Sequence, residues 1–530
     1  MEFIQFVRDH ARRLLAWSIA ILLTLFPAVF FTHSSDLVTF LRVANSLRNG
    51  GVLYHDIVDI KPPLVYDIVR VFSAMGGNSE IGLHLVDTIY LFFALFVSSY
   101  LLYLVTKNMT IALLSTWFMA VTYVSNSFAV SVQSESLALL PFVLFTYVLL
   151  QERRERIFLQ GLFIGALTAV LVGLKLTLGA VILVAVVNDI SNGRQPLMQV
   201  AKKWMGVALG LVVVSLVIWR TLFNPDSVSG YVQLLSFMKS YASMPSINAE
   251  WIRFAWKNSI ILLFDRYSLT LSLFAIVGFG SLISANDSNR TLVRTLTILF
   301  LVLMLTIVVE RKFFDYHFFR FVVPLSVLSA YGTLQMRKLL LQWWRQGREK
   351  ILLVPAVLIM LVWSPVARFT SIAIPAVTRV VRATSHSAQD QPRVSPNLYR
   401  SEESMINDSI RTYSMPGDHA SVAAMNASRL ALILGEYGTS FAAGSQFAMA
   451  DYAPLVWQQR YADEMRRARW LVVGTNDSIE FFNRPPTNSM SIVSGREPFR
   501  SAFAAFAKRW QTEHFIVYER SSVVNSGAVR

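Results

Sequence analysis

Apolar runs of bilayer-crossing length recur along this chain, separated by short polar stretches. The first, Leu14 to Thr32, holds roughly 19 residues, enough for a helix across a ~30 Å hydrocarbon core and too long for the apolar part of a cleaved leader. It is read as an uncleaved anchor. Further runs begin near Leu83, Ile111, Val132, Phe158, Leu176, Trp204, Tyr267, Leu292, Phe318 and Ile351, which predicts about eleven spans. The stretch from Phe158 to Val187 exceeds one crossing, and Gly173-Leu174-Lys175 near its middle predicts a hairpin tip between two short helices.

Charge parity supports that count. Arg8, Arg12 and Arg13 precede the first span and place the N-terminus in the cytoplasm. Lys107, then Arg153, Arg154 and Arg156, then Arg194, Lys202 and Lys203, then Arg290 and Arg294, then Arg337, Lys338, Arg345, Arg348 and Lys350 fall in alternate loops on that same side. An odd number of spans puts the tail on the other side, with a long first outer loop (33–82) and a second (224–266). In the first loop Leu37, Phe40, Leu41, Ala44 and Leu47 recur at helical spacing, with Thr39, Arg42, Ser46 and Asn49 opposite, which predicts a surface-lying amphipathic helix. A second helix is expected from Val65 to Met75, ended by Gly76-Gly77. The tail mixes charges with strand-like runs, Trp470 to Val473 and Phe515 to Tyr518, and a helical stretch around Ala502 to Trp510. It reads as a small α/β domain. The expected division is a membrane domain at 1–370, a linker at 371–384 and an extracytoplasmic domain at 385–530.

Composition agrees: hydrophobic residues make up 54% and charged residues 15% of the 530, far too apolar for a soluble domain set. The net charge of +15 belongs with membrane-flanking loops, so nucleic acid is not an expected partner. With no cysteine, disulfides, thiolate metal sites and cysteine nucleophiles are excluded.

Ionisable residues gather at the outer ends of the spans, where lipid disfavours them unless they serve a cavity: Asp36, Asp56, Asp59, Lys61, Glu135, Lys175, Arg311, Lys312 and His317. Most of them have a plainer explanation. Asp36 opens a helix and suits an N-cap. Lys61, fixed by Pro62-Pro63, suits an interfacial snorkelling lysine. Glu135 sits where a helix dipole favours an acid. Arg311, Lys312 and His317 lie among Phe313, Phe314, Tyr316, Phe318 and Phe319 and suit an aromatic belt, although cations on the outer side run against the usual bias. Lys175, between two short apolar helices, has the fewest plain uses.

Four pieces, in order, resemble the dolichyl-phosphate-mannose protein mannosyltransferase-like superfamily, which includes the bacterial aminoarabinose transferases to lipid A. They are Ser35-Asp36, the Gly50 to Leu64 stretch from Tyr54-His55-Asp56 through Asp59 to Lys61-Pro62-Pro63-Leu64, Gln133-Ser134-Glu135, and Arg311 to Pro324. The resemblance covers Met1 to Trp363. Many relatives have Asp-Glu where this chain has Asp36-Leu37. It implies a polytopic α-helical membrane protein of GT-C type with outer juxtamembrane helices, inverting transfer, and a polyprenyl-phosphate sugar as donor. Asp36 is then the general base toward the acceptor. Lys61 is the first candidate for the donor phosphate, followed by Lys175, Arg311, Lys312 and His317, while Tyr54, Asp56, Asp59 and Glu135 orient the substrates.

No cofactor is required, though a divalent ion between acids is compatible with the pattern. The acceptor is a glycan, glycolipid or protein, membrane lipid is a partner, and a bacterial inner membrane fits the compact tail. A transporter or flippase of lipid-linked sugars is the alternative from another class, since outer cations also suit phosphate headgroups.

Overall fold

The computed structural model describes the chain except residues 1, 152–155, 193–195, 244–248, 265–267, 284–286, 312, 346–368, 376–377, 379–399, 426–427, 435–443, 479–481, 484–485 and 522–530. Lys312 and the span expected from Ile351 lie outside the described residues, as does most of the 371–384 linker. The chain divides into two units. One comprises Met1–Thr32, Phe72–Trp219 and Ile247–Arg393, and the other His33–Val71, Arg220–Ser246 and Val394–Arg530.

The first unit is helical. Among the described residues five helices are long and apolar enough to cross a membrane: Phe3–Phe30, Glu80–Thr106, Ile157–Leu174, Leu197–Ile218 and Arg290–Glu310. Ala249–Phe264 and Leu269–Ile283 form a pair bent by 87° that makes a sixth if it is one span. Three more apolar helices are shorter, Met109–Ser125, Ser134–Leu150 and Leu176–Ser191. The span expected from Val132 therefore starts with a break. Val132 has φ +54°, a four-residue helix Ser134–Leu137 follows, and the longer helix runs Leu139–Leu150.

Local chemistry sets the ends. Ser79 caps the Glu80–Thr106 helix by accepting from Gly82 N at 3.1 Å, and Lys107 closes it in the left-handed region at φ +52°. Asn108 immediately caps Met109–Ser125, so two consecutive helices meet at a two-residue turn. Ile157–Leu174 ends at Lys175, which is extended, and a 3-10 turn Leu176–Val181 leads into Ile182–Asn192. The hairpin tip expected at Gly173-Leu174-Lys175 is this break. Ile157–Leu174 packs on Leu197–Ile218 through Gly161 and Gly165 facing Gly206 and Gly210. A Cβ at Gly161 would lie 2.0 Å from the Lys203 carbonyl oxygen, and one at Gly210 would lie 2.1 Å from that of Leu162. Only glycine permits backbones to approach this closely.

The second unit holds the sheet, in strand order β1-β2-β4-β3 with β1 Ala420–Ala423, β2 Trp470–Gly474, β3 Phe506–Gln511 and β4 Phe515–Arg520. β1 and β2 are parallel, with Ala420 opposite Trp470, and the other neighbours are antiparallel. Ile406, Ile410, Val422, Leu430, Trp470, Val472, Phe515 and Val517 form its core. The helix expected over Ala502 to Trp510 is corrected: a short helix Phe499–Phe503 precedes the edge strand β3. Pairing with β4 across a turn closed by Thr512 N donating to the Phe515 carbonyl outweighs the local alanine-rich helix propensity.

Residues 33–71 of the first outer loop belong to this unit, and the loop has its two expected helices, Ser35–Arg48 and Pro63–Gly76, with Gly77 at φ +71° beyond the second. The surface-lying character of the first is corrected. Thr39 and Val38 are buried along with Leu37, Phe40, Leu41, Val43 and Ala44, because the tail helix Ser428–Ile433 packs on it.

Candidate active site

Two groups of the expected residues assemble, one in each unit. In the second unit Asp36 and Lys61 meet. The N-cap of the Ser35–Arg48 helix is Ser34, whose hydroxyl accepts from Leu37 N at 3.1 Å, so Asp36 is not spent on capping and the plainer reading of it is corrected. It lies in the first turn, where the helix dipole favours a carboxylate. Its Oδ2 stands 3.9 Å from Lys61 Nζ, with the carboxylate 39% and the ammonium side chain 11% exposed. The ammonium also lies 5.7 Å from the Phe40 ring centroid.

The loop that presents Lys61 is held by tyrosines. Tyr54 donates its hydroxyl to the Lys61 carbonyl at 2.9 Å, while Tyr66 accepts from Lys61 N at 3.2 Å and donates to Asp59 Oδ2 at 2.7 Å. Asp59 is 2% exposed, and its Oδ1 accepts from Ile60 N at 2.7 Å. Burial pushes its carboxyl up to about 6, against hydrogen bonds from Tyr66 and Ile60 and the charge of Lys61 that pull the other way. Burial likewise pushes the Tyr54 and Tyr66 phenols well up, so both stay protonated donors. Asp56 turns away from this group. It accepts from Val52 N at 2.7 Å and from the His55 ring at 2.8 Å, closing the turn that precedes Asp59.

In the first unit Glu135, Lys175 and His317 come together around two residues that sequence reasoning missed, Glu310 and Arg320. Lys175 Nζ lies 2.8 Å from Glu135 Oε1 and 3.0 Å from Glu310 Oε2. Arg320 reaches the same two oxygens, at 2.9 and 2.7 Å, and donates to Thr306 Oγ1 at 2.9 Å. Thr177 donates to Glu310 Oε1. His317 Nε2 lies 3.6 Å from Glu310 Oε2 and 3.4 Å from Lys175 Nζ. Two cations thus face two carboxylates, and Glu135 and Arg320 are fully buried. The missed pair had a signal: Glu310 ends the span that begins at Arg290, and Arg320 interrupts the run Phe318-Phe319-Arg320-Phe321, both positions where lipid disfavours charge. Arg311, next in the chain to Glu310, sits at φ +56° with its guanidinium 5.8 Å from the Trp251 ring centroid.

Beside it Asp87, on the Glu80–Thr106 helix, accepts from Ser131 Oγ at 2.9 Å, from Val132 N at 3.2 Å and from the Tyr123 hydroxyl, while the His84 ring lies 2.7 Å from Ser131 Oγ. These bonds hold the strained backbone at Val132 that leads to Glu135.

No family model and no curated protein matches this chain. Sixteen chains of solved structures match. One is the apo oligosaccharyltransferase of Archaeoglobus fulgidus, at 12% identity and a TM-score of 0.42, over 97% of this chain and 74% of that one. At that TM-score the similarity assigns no residue and no activity.

Proposed function

We propose that this protein is a membrane glycosyltransferase of about eleven spans that moves a sugar from a polyprenyl-phosphate donor to an envelope glycan, lipid or protein on the non-cytoplasmic face. The observation that carries the reading is the Asp36–Lys61 pair. A carboxylate 39% exposed and a nearly buried ammonium stand 3.9 Å apart, an ion pair close enough to act on one bond and longer than a direct hydrogen bond.

In this mechanism Asp36 takes the proton from the acceptor hydroxyl or amine as it attacks the anomeric carbon, and the bond to the phosphate oxygen breaks with inversion. A carboxylate suffices, because proton transfer comes late once an oxocarbenium-like centre has formed. The phosphate gains negative charge as it leaves, and Lys61 meets it. A unit charge at ~4 Å contributes about 4 kcal/mol at an effective dielectric of ~20. Tyr54 and Tyr66, bonded to the Lys61 backbone, keep the ammonium in place. Lys175 and His317 are engaged by Glu135 and Glu310, so the phosphate role falls to Lys61 first. Glu135 acts through the network it shares with Lys175 and Arg320.

The test is purified full-length protein with polyprenyl-phosphate sugars, following release of polyprenyl monophosphate. Asp36→Asn is expected to bind donor as well as wild type and to lose release at least a hundredfold, whereas Lys61→Ala weakens donor binding and release together. Wild-type release by Asp36→Asn removes the catalytic assignment.

A further inference from the structure

The segment that presents Lys61 is a strained turn braced from outside itself. Between Val52 and Lys61 the backbone closes a tight turn, with Tyr54 N donating to the Ile57 carbonyl at 2.9 Å and Asp56 N to the Val52 carbonyl at 2.8 Å, and this turn holds Tyr54 at φ +68°, a conformation that costs a non-glycine residue free energy and persists only where its surroundings enforce it. Those surroundings come from two distant parts of the chain within the same unit. From the Pro225–Ser243 helix, Ser227 donates its hydroxyl to the Leu53 carbonyl at 2.6 Å. Gly230 lies so close beneath the Tyr54 carbonyl that a Cβ there would stand 2.0 Å from the oxygen, and Tyr231 packs on the Tyr54 ring at 5.1 Å. From the tail helix Leu455–Arg467, Arg460 donates Nη1 to the His55 carbonyl at 2.7 Å and lies within electrostatic reach of Asp56.

These two helices are tied together. Trp457 donates Nε1 to Gln233 Oε1 at 2.9 Å, and its ring lies 5.3 Å from that of Phe237. The same helix also runs near the Ser35–Arg48 helix, where Glu464 and Tyr461 lie within electrostatic reach of Arg42.

We infer that the tail is a clamp for the donor-phosphate lysine, with Arg460 as its positioning residue. The line of contact runs from Arg460 to the His55 carbonyl, through the left-handed Tyr54, to the Tyr54 hydroxyl on the Lys61 carbonyl. Arg460 touches no substrate in this reading. It stabilises the one backbone conformation in which Tyr54 reaches Lys61, so the ammonium is in place before the phosphate arrives. The inference rests on the reading of Lys61 as the phosphate partner, and it gives the tail a part in donor binding.

The experiment uses the full chain in detergent, with a polyprenyl monophosphate as the binding probe and amide hydrogen exchange over residues 52–61 as the structural readout. Arg460→Met is expected to speed exchange in that segment and to weaken polyprenyl monophosphate binding about tenfold, the effect of one charge-assisted hydrogen bond. Arg460→Lys, which still offers one charged donor, recovers most of both. On a Lys61→Ala background Arg460→Met adds no further loss of binding, because both act through one group. Unchanged exchange over 52–61 in a folded Arg460→Met protein overturns the clamp, and so does full additivity with Lys61→Ala. Faster exchange in Arg460→Met, in a protein whose wild type binds no polyprenyl monophosphate, keeps the clamp and overturns the donor reading instead.

Discussion

Asp59 shows how much one buried carboxyl says about this unit. It sits beneath Lys61, accepts from Tyr66, and is pushed up to about 6 chiefly by burial. An acid whose folded value is raised binds more protons in the folded than in the unfolded state between the two values. Stability is therefore full below about pH 4 and falls as pH rises through about 6, by an amount on the order of 3 kcal/mol. The difference in melting temperature between wild type and Asp59→Asn, followed from pH 4 to pH 7, isolates this group. Wild type is expected to lose stability relative to the variant across that window, and parallel curves would show that Asp59 is not the titrating group. The sequence marked Asp59 as one of the outer ionisable residues, and the family resemblance gave it a part in orienting substrate. That it is buried and bonded to a tyrosine seven residues on depends on a turn that no periodic pattern reports. Asp36 was legible as a helix-opening acid, but its cap reading failed because Ser34, two residues earlier, takes that bond.

At the scale of elements, charges and glycines fix what hydropathy leaves open. Arg320 ties the Ser134–Leu137 turn to the end of the Arg290–Glu310 helix through Glu135 and Glu310. Removing one partner from a buried ionic group leaves the others uncompensated, so Arg320→Met is expected to cost about 3–5 kcal/mol. Adding Glu310→Gln to that variant should restore part of the loss, measured as thermal unfolding in detergent, and a single variant as stable as wild type would contradict the network. The Gly161, Gly165, Gly206 and Gly210 contact makes a separate prediction. Gly210→Leu places a side chain where a carbonyl oxygen stands 2.1 Å from the first added carbon. The two helices must separate, at a cost of at least about 1–3 kcal/mol. Retained monodisperse yield and melting temperature in Gly210→Leu would show that this packing is dispensable. Long apolar helices were readable from the run lengths. The break before Glu135 and the strand at Phe506–Gln511 were not, because each is decided by a partner segment, Asp87 in one case and β4 in the other.

On the scale of the whole molecule, the sequence reads as a membrane part followed by a tail, while the structure groups residues 33–71 of the first outer loop, residues 220–246 and the tail into one unit. Contacts between segments hundreds of residues apart leave no mark on local hydropathy, which is why Arg460 gave no sign of its bond to His55. The grouping also bears on the choice between a transferase and a carrier of lipid-linked sugars. A carrier needs polar groups along a path through its spans that a headgroup can displace in turn. In the first unit Glu135, Lys175, Glu310 and Arg320 are matched two against two, and drawing a phosphate past them strands two carboxylates beside it. The Asp36–Lys61 pair bears one cation and one carboxylate 39% exposed, which suits the proposed bond-breaking step and gives a carrier no use for the carboxylate. In vesicles carrying a polyprenyl-phosphate sugar, consumption of the donor is therefore expected to require an acceptor and to fall at least a hundredfold in Asp36→Asn. Donor that crosses the bilayer intact, at the same rate in wild type and Asp36→Asn, would instead make the protein a carrier and leave Asp36 without a catalytic part.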